Sequence, residues 1–281
     1  MSASRRRFFR RGMTLGGGLL VAPFMSGAPT NETLRTIASL RTIHGDFSDK
    51  QIPDADIEQI VTASVRAANA SALQSYSILL VRDPDMQRKI CGYRGSCLLL
   101  YLVDYTRPIA TAKRLGYDYA PGDMEAFVTG STNTILAAQT ATIAAKSMGI
   151  DSLLTNGVHR GNMERLWETL GLPRKYCFPL IALVLGYPAK EPAFQKGRLK
   201  GPGIVHHGTF HNLTGEEADA LVRQYDDKSL HLGLNEEWDK NGHKHYLDWL
   251  HKEWLGRNRK PGETQILQRL RQAGFVETAG S

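Results

Sequence analysis

Three short apolar runs stand out along the chain: residues 77–81 (SILLV), 98–103 (LLLYLV) and 178–185 (FPLIALVL). Runs of this length with no polar alternation predict strands covered on both faces. Helix-spaced apolar positions flank them. Within 31–40 these are Leu34, Ile37, Ala38 and Leu40, with Asn31 or Thr33 available as a cap. After Pro53, Asp54 and Asp56, the positions Ile57, Ile60, Val61, Ser64 and Val65 fall on one helical face. Residues 127–148 are rich in Ala, Thr and Ile and end at Gly149, which predicts a long central helix with a glycine stop. The order helix, strand, strand, helix, strand predicts a layered α+β domain built on one central sheet. Beyond Asn212 the chain becomes charged and carries Trp238, Trp249 and Trp254 with few contiguous apolar residues. That stretch predicts a helical extension covering the main domain rather than a second core.

Composition changes this picture little. With 281 residues, 42% hydrophobic and 22% charged, the chain reads as an ordinary globular protein. Charge matters more by position than by sum. The net charge is +7, but Arg5, Arg6, Arg7, Arg10 and Arg11 fall in the first 28 residues with no acid among them, and the remainder is +2. A nearly neutral body speaks against nucleic acid as the partner.

The first 30 residues read as a targeting segment: arginines, an uncharged stretch over 12–25, then Ser26, Gly27 and Ala28. Gly16, Gly17, Gly18 and Pro23 keep that stretch below the strength of a membrane helix. Ser4-Arg5-Arg6-Arg7-Phe8-Phe9-Arg10 resembles the twin-arginine export signal position by position. The resemblance implies export of an already folded protein to the periplasm, often one that has acquired its cofactor. Pro29 disfavours cleavage after Ala28, which leaves cleavage elsewhere or an uncleaved membrane tether. A basic tail on a cytoplasmic protein is the alternative. The expected division is a signal segment over 1–30, a main domain over 31–211 and its helical extension over 212–281.

Several other groups carry less. Cys91, Cys97 and Cys177 form no metal or redox spacing and are expected to be buried, idle thiols. His206, His207 and His211, like His243, His245 and His251, lack the partners and spacing of zinc sites, so no metal is expected. Glu216-Glu217 and Asp226-Asp227 read as solvated helix faces.

Two basic clusters suggest an anion site. A helical turn at Arg41 and His44 would direct both toward one spot, with the Thr42 hydroxyl nearby. Far downstream, Lys196-Gly197-Arg198 in an extended segment would place both cations on one side. Together they would neutralise a terminal phosphate through charge-assisted hydrogen bonds.

At these positions the chain resembles the nitroreductase family, in particular its NADPH-dependent nitroreductase and flavin reductase branch, over most of residues 31–211. Arg41-Thr42-Ile43-His44 resembles the family's Arg-Ser-x-Arg element, with histidine replacing the second arginine. The small-polar segment over 69–77, ending its first half at Gln74, leads into the first strand. Ala137-Ala138-Gln139 and 144–149 resemble the central helix, and Leu154-Thr155-Asn156-Gly157 the loop beside the flavin ring. Leu170-Gly171-Leu172-Pro173, Leu185-Gly186-Tyr187-Pro188, Lys196-Gly197-Arg198-Leu199 and Val205-His206 follow in the family's order. Lys260-Pro261 and 272–275 resemble its C-terminal segment.

The resemblance implies a homodimeric α+β sandwich, a central sheet flanked by helices, with FMN in the subunit interface. By position, Arg41, Thr42, His44, Lys196 and Arg198 would hold the phosphate. Asn69 and Ser71 would serve the ribityl chain or ring, and Thr155, Asn156 and Gly157 would offer backbone groups to the ring. Two departures stand out. Residues 90–96 lack the family's Gly-x-Gln stretch, and Glu236, Glu237 and Asp239 occupy the region where an arginine-rich loop would take the NADPH phosphate. The implied activity is an FMN-dependent oxidoreductase that reduces a small organic acceptor, nitroaromatic or quinone-like, with donor and acceptor alternating. No side chain needs to act as nucleophile. The reductant is NAD(P)H or, given export, a membrane electron carrier. A flavin dehydrogenase, a dehalogenase and a non-enzymatic flavin electron carrier are the alternatives on the same fold.

Overall fold

The computed structural model describes residues 31–256 and 264–276; the twin-arginine-like segment and Lys260-Pro261 lie outside them. Four strands form one fully antiparallel sheet, β1 (Tyr76–Val81), β2 (Cys97–Asp104), β3 (Asp151–Thr155) and β4 (Cys177–Gly186), in the order β1-β2-β4-β3. The three apolar runs are β1, β2 and β4. The register explains why they do not alternate. Leu99, Tyr101, Leu183 and Leu185 pack on one face against Ile57 and Ile60 of α2 (Asp54–Ser64) and Ala137, Ala138, Ala141 and Ala145 of α5 (Met124–Ser147). Leu98, Leu100, Leu102 and Val184 pack on the other, with Met163, Trp167, Phe178 and Phe275. With helices on both faces, every residue of β2 is buried.

The central helix α5 runs Met124–Ser147, three residues earlier at its start than the apolar pattern implied. Its boundary is set by Asp123, whose side chain accepts the Ala126 N–H. Small residues bring it close to the sheet. A Cβ on Gly130 would lie 2.6 Å from Val103 Cγ1, nearer than side-chain carbon atoms tolerate. Asn31 caps α1 (Glu32–Ala38) by accepting the Leu34 N–H, as the sequence suggested.

Strand β3 escaped the sequence reading, which took its end for a loop. It spans five residues and opens on Asp151 and Ser152, so no apolar run marks it. The remaining helices of the main domain are α3 (Pro84–Cys91), α4 (Thr106–Arg114) and α6 (Met163–Leu170).

The extension contributes α7 (Gly215–Asp226), α8 (Tyr246–Trp249) and α9 (Gln265–Gln272). The acidic pairs are not simply solvated. Glu217 completes a capping box with Thr214, and Asp226 accepts from His245 Nδ1 and the Tyr246 N–H. Leu270, Ala273 and Phe275 enter the main core, where Phe275 is fully buried among Tyr105, Phe127 and Tyr176. Phe275 is thus a packing anchor. All three cysteines are buried and free, and burial pushes the Cys97 and Cys177 thiols up to about 12. Among the described residues no helix is long and apolar enough to cross a membrane.

Candidate functional site

The two basic segments, remote in sequence, meet at the β3 edge of the sheet. Gln195 Nε2 donates to the Ala38 and Leu40 carbonyls at 2.9 and 2.7 Å, which sets Lys196 beside the chain leading into Arg41. The neighbouring stretch is stitched in the same way: Ser48 N–H to the Tyr187 carbonyl at 2.8 Å and Ala189 N–H to the Asp46 carbonyl at 2.7 Å.

Residues 41–44 are not the helical turn expected from the sequence. Thr42 forms a parallel bridge with Ser152, so the segment is extended along β3. Positions two apart then share a side. Ile43 is buried, Thr42 and His44 are exposed together, and Arg41 is half-buried. The Arg41 guanidinium bonds Asp151 through Nε and Nη2, the latter at 2.6 Å, and Glu191 through Nη1 at 2.7 Å. Lys146, at the end of α5, reaches Asp151 Oδ1 at 2.7 Å. Burial would raise the Asp151 carboxyl pKa, but hydrogen bonds from Arg41 and Lys146 overcome this and lower it. The same two acids hold Arg41 above its ordinary value.

On the downstream segment, Lys196 Nζ bonds Glu236 at 2.6 Å and the Gly233 carbonyl. Arg198 folds back on the Lys196 and Gly197 carbonyls. The turn over 228–236 of the extension is therefore seated on this segment. A Cβ on Gly197 would lie 2.1 Å from the Leu230 carbonyl oxygen, and Phe194 stacks on His231 at 3.7 Å. Glycine is required there by close approach. The acids in the region where an arginine-rich loop is expected are paired: Glu236 with Lys196, Glu237 with Lys240, and Asp239 with Lys228. Sequence spacing did not reveal that neutralisation.

The segment over 69–75 is strained. Ser71, Ala72 and Gln74 adopt φ of 54, 53 and 47°, left-handed values that cost non-glycine residues energy. Side chains hold it in place. Asn69 Oδ1 accepts the Gln74 N–H at 3.1 Å, Asn133 Oδ1 accepts the Ala70 N–H at 2.9 Å, and Asn133 Nδ2 donates to Ser75 Oγ at 2.8 Å. Arg107 donates to the Gln74 and Tyr76 carbonyls. A cavity of about 320 Å³ opens beside it, lined by Asn69, Ala70, Val128, Thr132, Asn133 and Leu136. Asn133 and Arg107 were missed as supports because they sit 58 and 33 residues from their partners, beyond any local pattern.

The loop after β3 is tied back to the last residue of the strand. Thr155 Oγ1 accepts the Gly157 N–H at 3.0 Å, and a Cβ on Gly157 would come within 2.4 Å of the Cys91 carbonyl oxygen. Asn156 is exposed. His159 closes the turn through Nε2 on the Pro179 carbonyl at 3.0 Å; burial lowers its pKa despite that bond. Segment 90–96, which lacks the expected glutamine, is tied by Gln87, whose Oε1 accepts the Gly95 N–H at 2.8 Å. The structure thus joins the two basic segments through Gln195 on the Ala38 and Leu40 carbonyls, gives Arg41 and Lys196 different acidic partners, and sets Asn69 and Ser71 in a separate strained loop by the cavity.

No family model matches the chain. It is 29% identical over 209 residues to the FMN reductase (NAD(P)H) of Bacillus subtilis, a span covering 70% of this chain and 81% of that protein. It is 28% identical over 254 residues to the oxygen-insensitive NADPH nitroreductase of Salmonella typhimurium, covering 82% of this chain and 100% of that one. The solved structure of nitroreductase A from Vibrio parahaemolyticus superposes with a TM-score of 0.71 at 23% identity, over 89% of this chain and 100% of that one. The layered sheet and helices described above are thus the nitroreductase fold.

Proposed function

We propose that this chain is an FMN-dependent oxidoreductase that reduces a small organic acceptor, nitroaromatic or quinone-like. The observation that carries the reading is the meeting of two basic segments at Gln195, Ala38 and Leu40 in a chain whose relatives include an FMN reductase and a nitroreductase. The donor set suits a phosphate monoester. Arg41, Lys146, Lys196 and Arg198 supply charge, and the exposed Thr42 and His44 supply further donors on the opposite side of the extended segment from Arg41, not on one spot with it as a helical turn would have placed His44. Arg41, Thr42, His44, Lys196 and Arg198 would hold that phosphate.

When bound, FMN supplies two-electron redox chemistry, so that donor and acceptor can use one pocket in turn. The chain's own share is placement. Asn69 and Ser71 would serve the ribityl chain or ring from the strained loop, and the 155–157 loop would face the ring at the exposed Asn156, because the Gly157 N–H is already taken by Thr155 Oγ1. A fixed loop costs no reorganisation as charge shifts.

The protein acts as a homodimer in this reading. Val128, Ile135 and Leu136 of α5 are exposed, and Val128 and Leu136 border the cavity beside Asn69, so a second copy would cover apolar surface and wall the pocket together. The arginine-rich start supports export to the periplasm, where a membrane electron carrier would replace NADPH as donor; the names of the relatives support NADPH. Anaerobic mixing with NADPH decides between them: stoichiometric bleaching of the flavin within seconds assigns the nucleotide, and bleaching only by a quinol assigns the carrier. The test of the whole reading is the absorbance spectrum of protein purified and reconstituted with FMN. Protein that takes up no flavin sinks it.

A further inference from the structure

Arg41 carries two carboxylates of opposite character. Asp151, whose side chain is 3% exposed, takes the side-on edge of the guanidinium: Nε lies 3.1 Å from both of its oxygens and Nη2 lies 2.6 Å from Oδ2. It is held again by Lys146. Glu191, 73% exposed, takes the outer edge through one good bond from Nη1 at 2.7 Å and a longer one from Nη2 at 3.3 Å. Removing Asp151 would strand two half-buried cations, whereas an exposed pair such as Glu191 with Arg41 is weakly held.

We propose that Glu191 is a displaceable counter-ion for Arg41, occupying the outer edge of the guanidinium until a phosphate monoester replaces it, while Asp151 fixes the guanidinium's orientation throughout. This rests on the flavin reading above. The chemistry favours the exchange. A phosphate monoester brings nearly two negative charges and three strong acceptor oxygens where the carboxylate brings one charge and two. Nη1 is the donor that can change partner, because Nε and Nη2 stay committed to Asp151. Glu191 lies at an exposed position beyond β4 and makes no other side-chain hydrogen bond among the described residues, so it can swing into solvent. Its charge still opposes the incoming dianion. Arg41 therefore has an orienting acid, which promotes binding, and a competing acid, which limits it.

The test compares FMN with riboflavin, which lacks the phosphate, by fluorescence titration of the apoprotein at low salt. Glu191→Gln keeps the shape and removes the charge. FMN should bind about three- to tenfold more tightly, a gain that fades at high salt, while riboflavin affinity stays as in the wild type. Glu191→Asp, which keeps the charge, should behave as the wild type. An unchanged or weaker FMN affinity in Glu191→Gln overturns the proposal, as does an equal gain for riboflavin. If the wild type binds FMN and Glu191→Gln does not differ, only the role of Glu191 fails. If the wild type binds neither ligand, the flavin reading fails and this inference with it. A melting temperature for Glu191→Gln matching the wild type confirms that the comparison is between folded proteins.

Discussion

The β2–β4 centre and the charged seam at the β3 edge both join parts of the chain that are far apart in sequence, but different forces hold them. At the centre, Leu100 faces Ala182 across the ladder and neither is accessible to water. Apolar burial there is non-directional and large, so many residues of the right size would serve. At the seam, Arg41 meets Asp151 and Glu191 through directed bonds, and Lys196 meets Glu236. Each partner is specific, and the seam mixes a buried acid, Asp151, with exposed ones such as Glu191. The centre holds by burial and shape, and the seam by charge and the identity of each partner.

The largest effect should come from opening the centre. Leu100→Ala removes a fully buried side chain between helices that cover both faces and should cost about 3–4 kcal/mol in urea or thermal unfolding. Flavin affinity of the fraction that remains folded should be unchanged. A loss below about 1 kcal/mol would mean that the helices close over the gap and that the centre is looser than its burial suggests.

Asp151→Asn tests the buried half of the seam and should cost about 3 kcal/mol near neutral pH, because Arg41 and Lys146 lose their common anion. The pH dependence has a definite sign. The Asp151 pKa is lowered in the folded protein, so its contribution is fully present above the ordinary carboxyl range and is lost as pH falls through the folded value. Wild type and Asp151→Asn should therefore converge in stability at acid pH. A difference that persists unchanged in strong acid would rule out the charge as the cause.

The contrast also explains what could be read from sequence. The runs SILLV, LLLYLV and FPLIALVL announced three strands because burial on both faces leaves an uninterrupted apolar string. DSLLT did not announce β3, since its first two residues make the seam and the edge of the sheet. Arg41, Lys196 and Arg198 could be picked out as cations and His44 as a hydrogen-bonding neighbour, but residue type does not reveal pairing. Asp151 and Glu191 lie 110 and 150 residues from Arg41, so neither could be assigned to it before the fold was known. The extended form of 41–44 followed from β3 as well. A helical turn was read because the strand that bridges Thr42 had not been recognised.

Arg41→Ala moves from stability to ligand. In the flavin reading it should weaken FMN by about ten- to a hundredfold, the range for a lost hydrogen bond to a charged group, and change riboflavin far less. Equal losses for both ligands would show that Arg41 supports the fold of the site without touching the phosphate. Lys196→Ala should give a smaller loss in the same direction, because Lys196 is a point charge already shared between Glu236 and the Gly233 carbonyl.

The smallest effect should come from the same chemistry in open solvent. Arg35 bonds Glu32 at 2.9 Å one turn apart on α1, the same pairing of guanidinium with carboxylate as Arg41 with Glu191, made through the Nε and Nη2 edge. Both side chains of the α1 pair are mostly exposed, at 56% and 83%, and no buried acid fixes the arginine. The pair gains little Coulomb energy in water, gives up side-chain freedom to form, and is screened by salt. Arg35→Ala should therefore change unfolding free energy by about 0.5 kcal/mol or less, with alanine's helix preference offsetting part of the loss. It should leave flavin affinity alone. A cost approaching that of Asp151→Asn would mean that burial is not what separates the two arginines, and the distinction between an orienting and a displaceable acid would lose its physical basis.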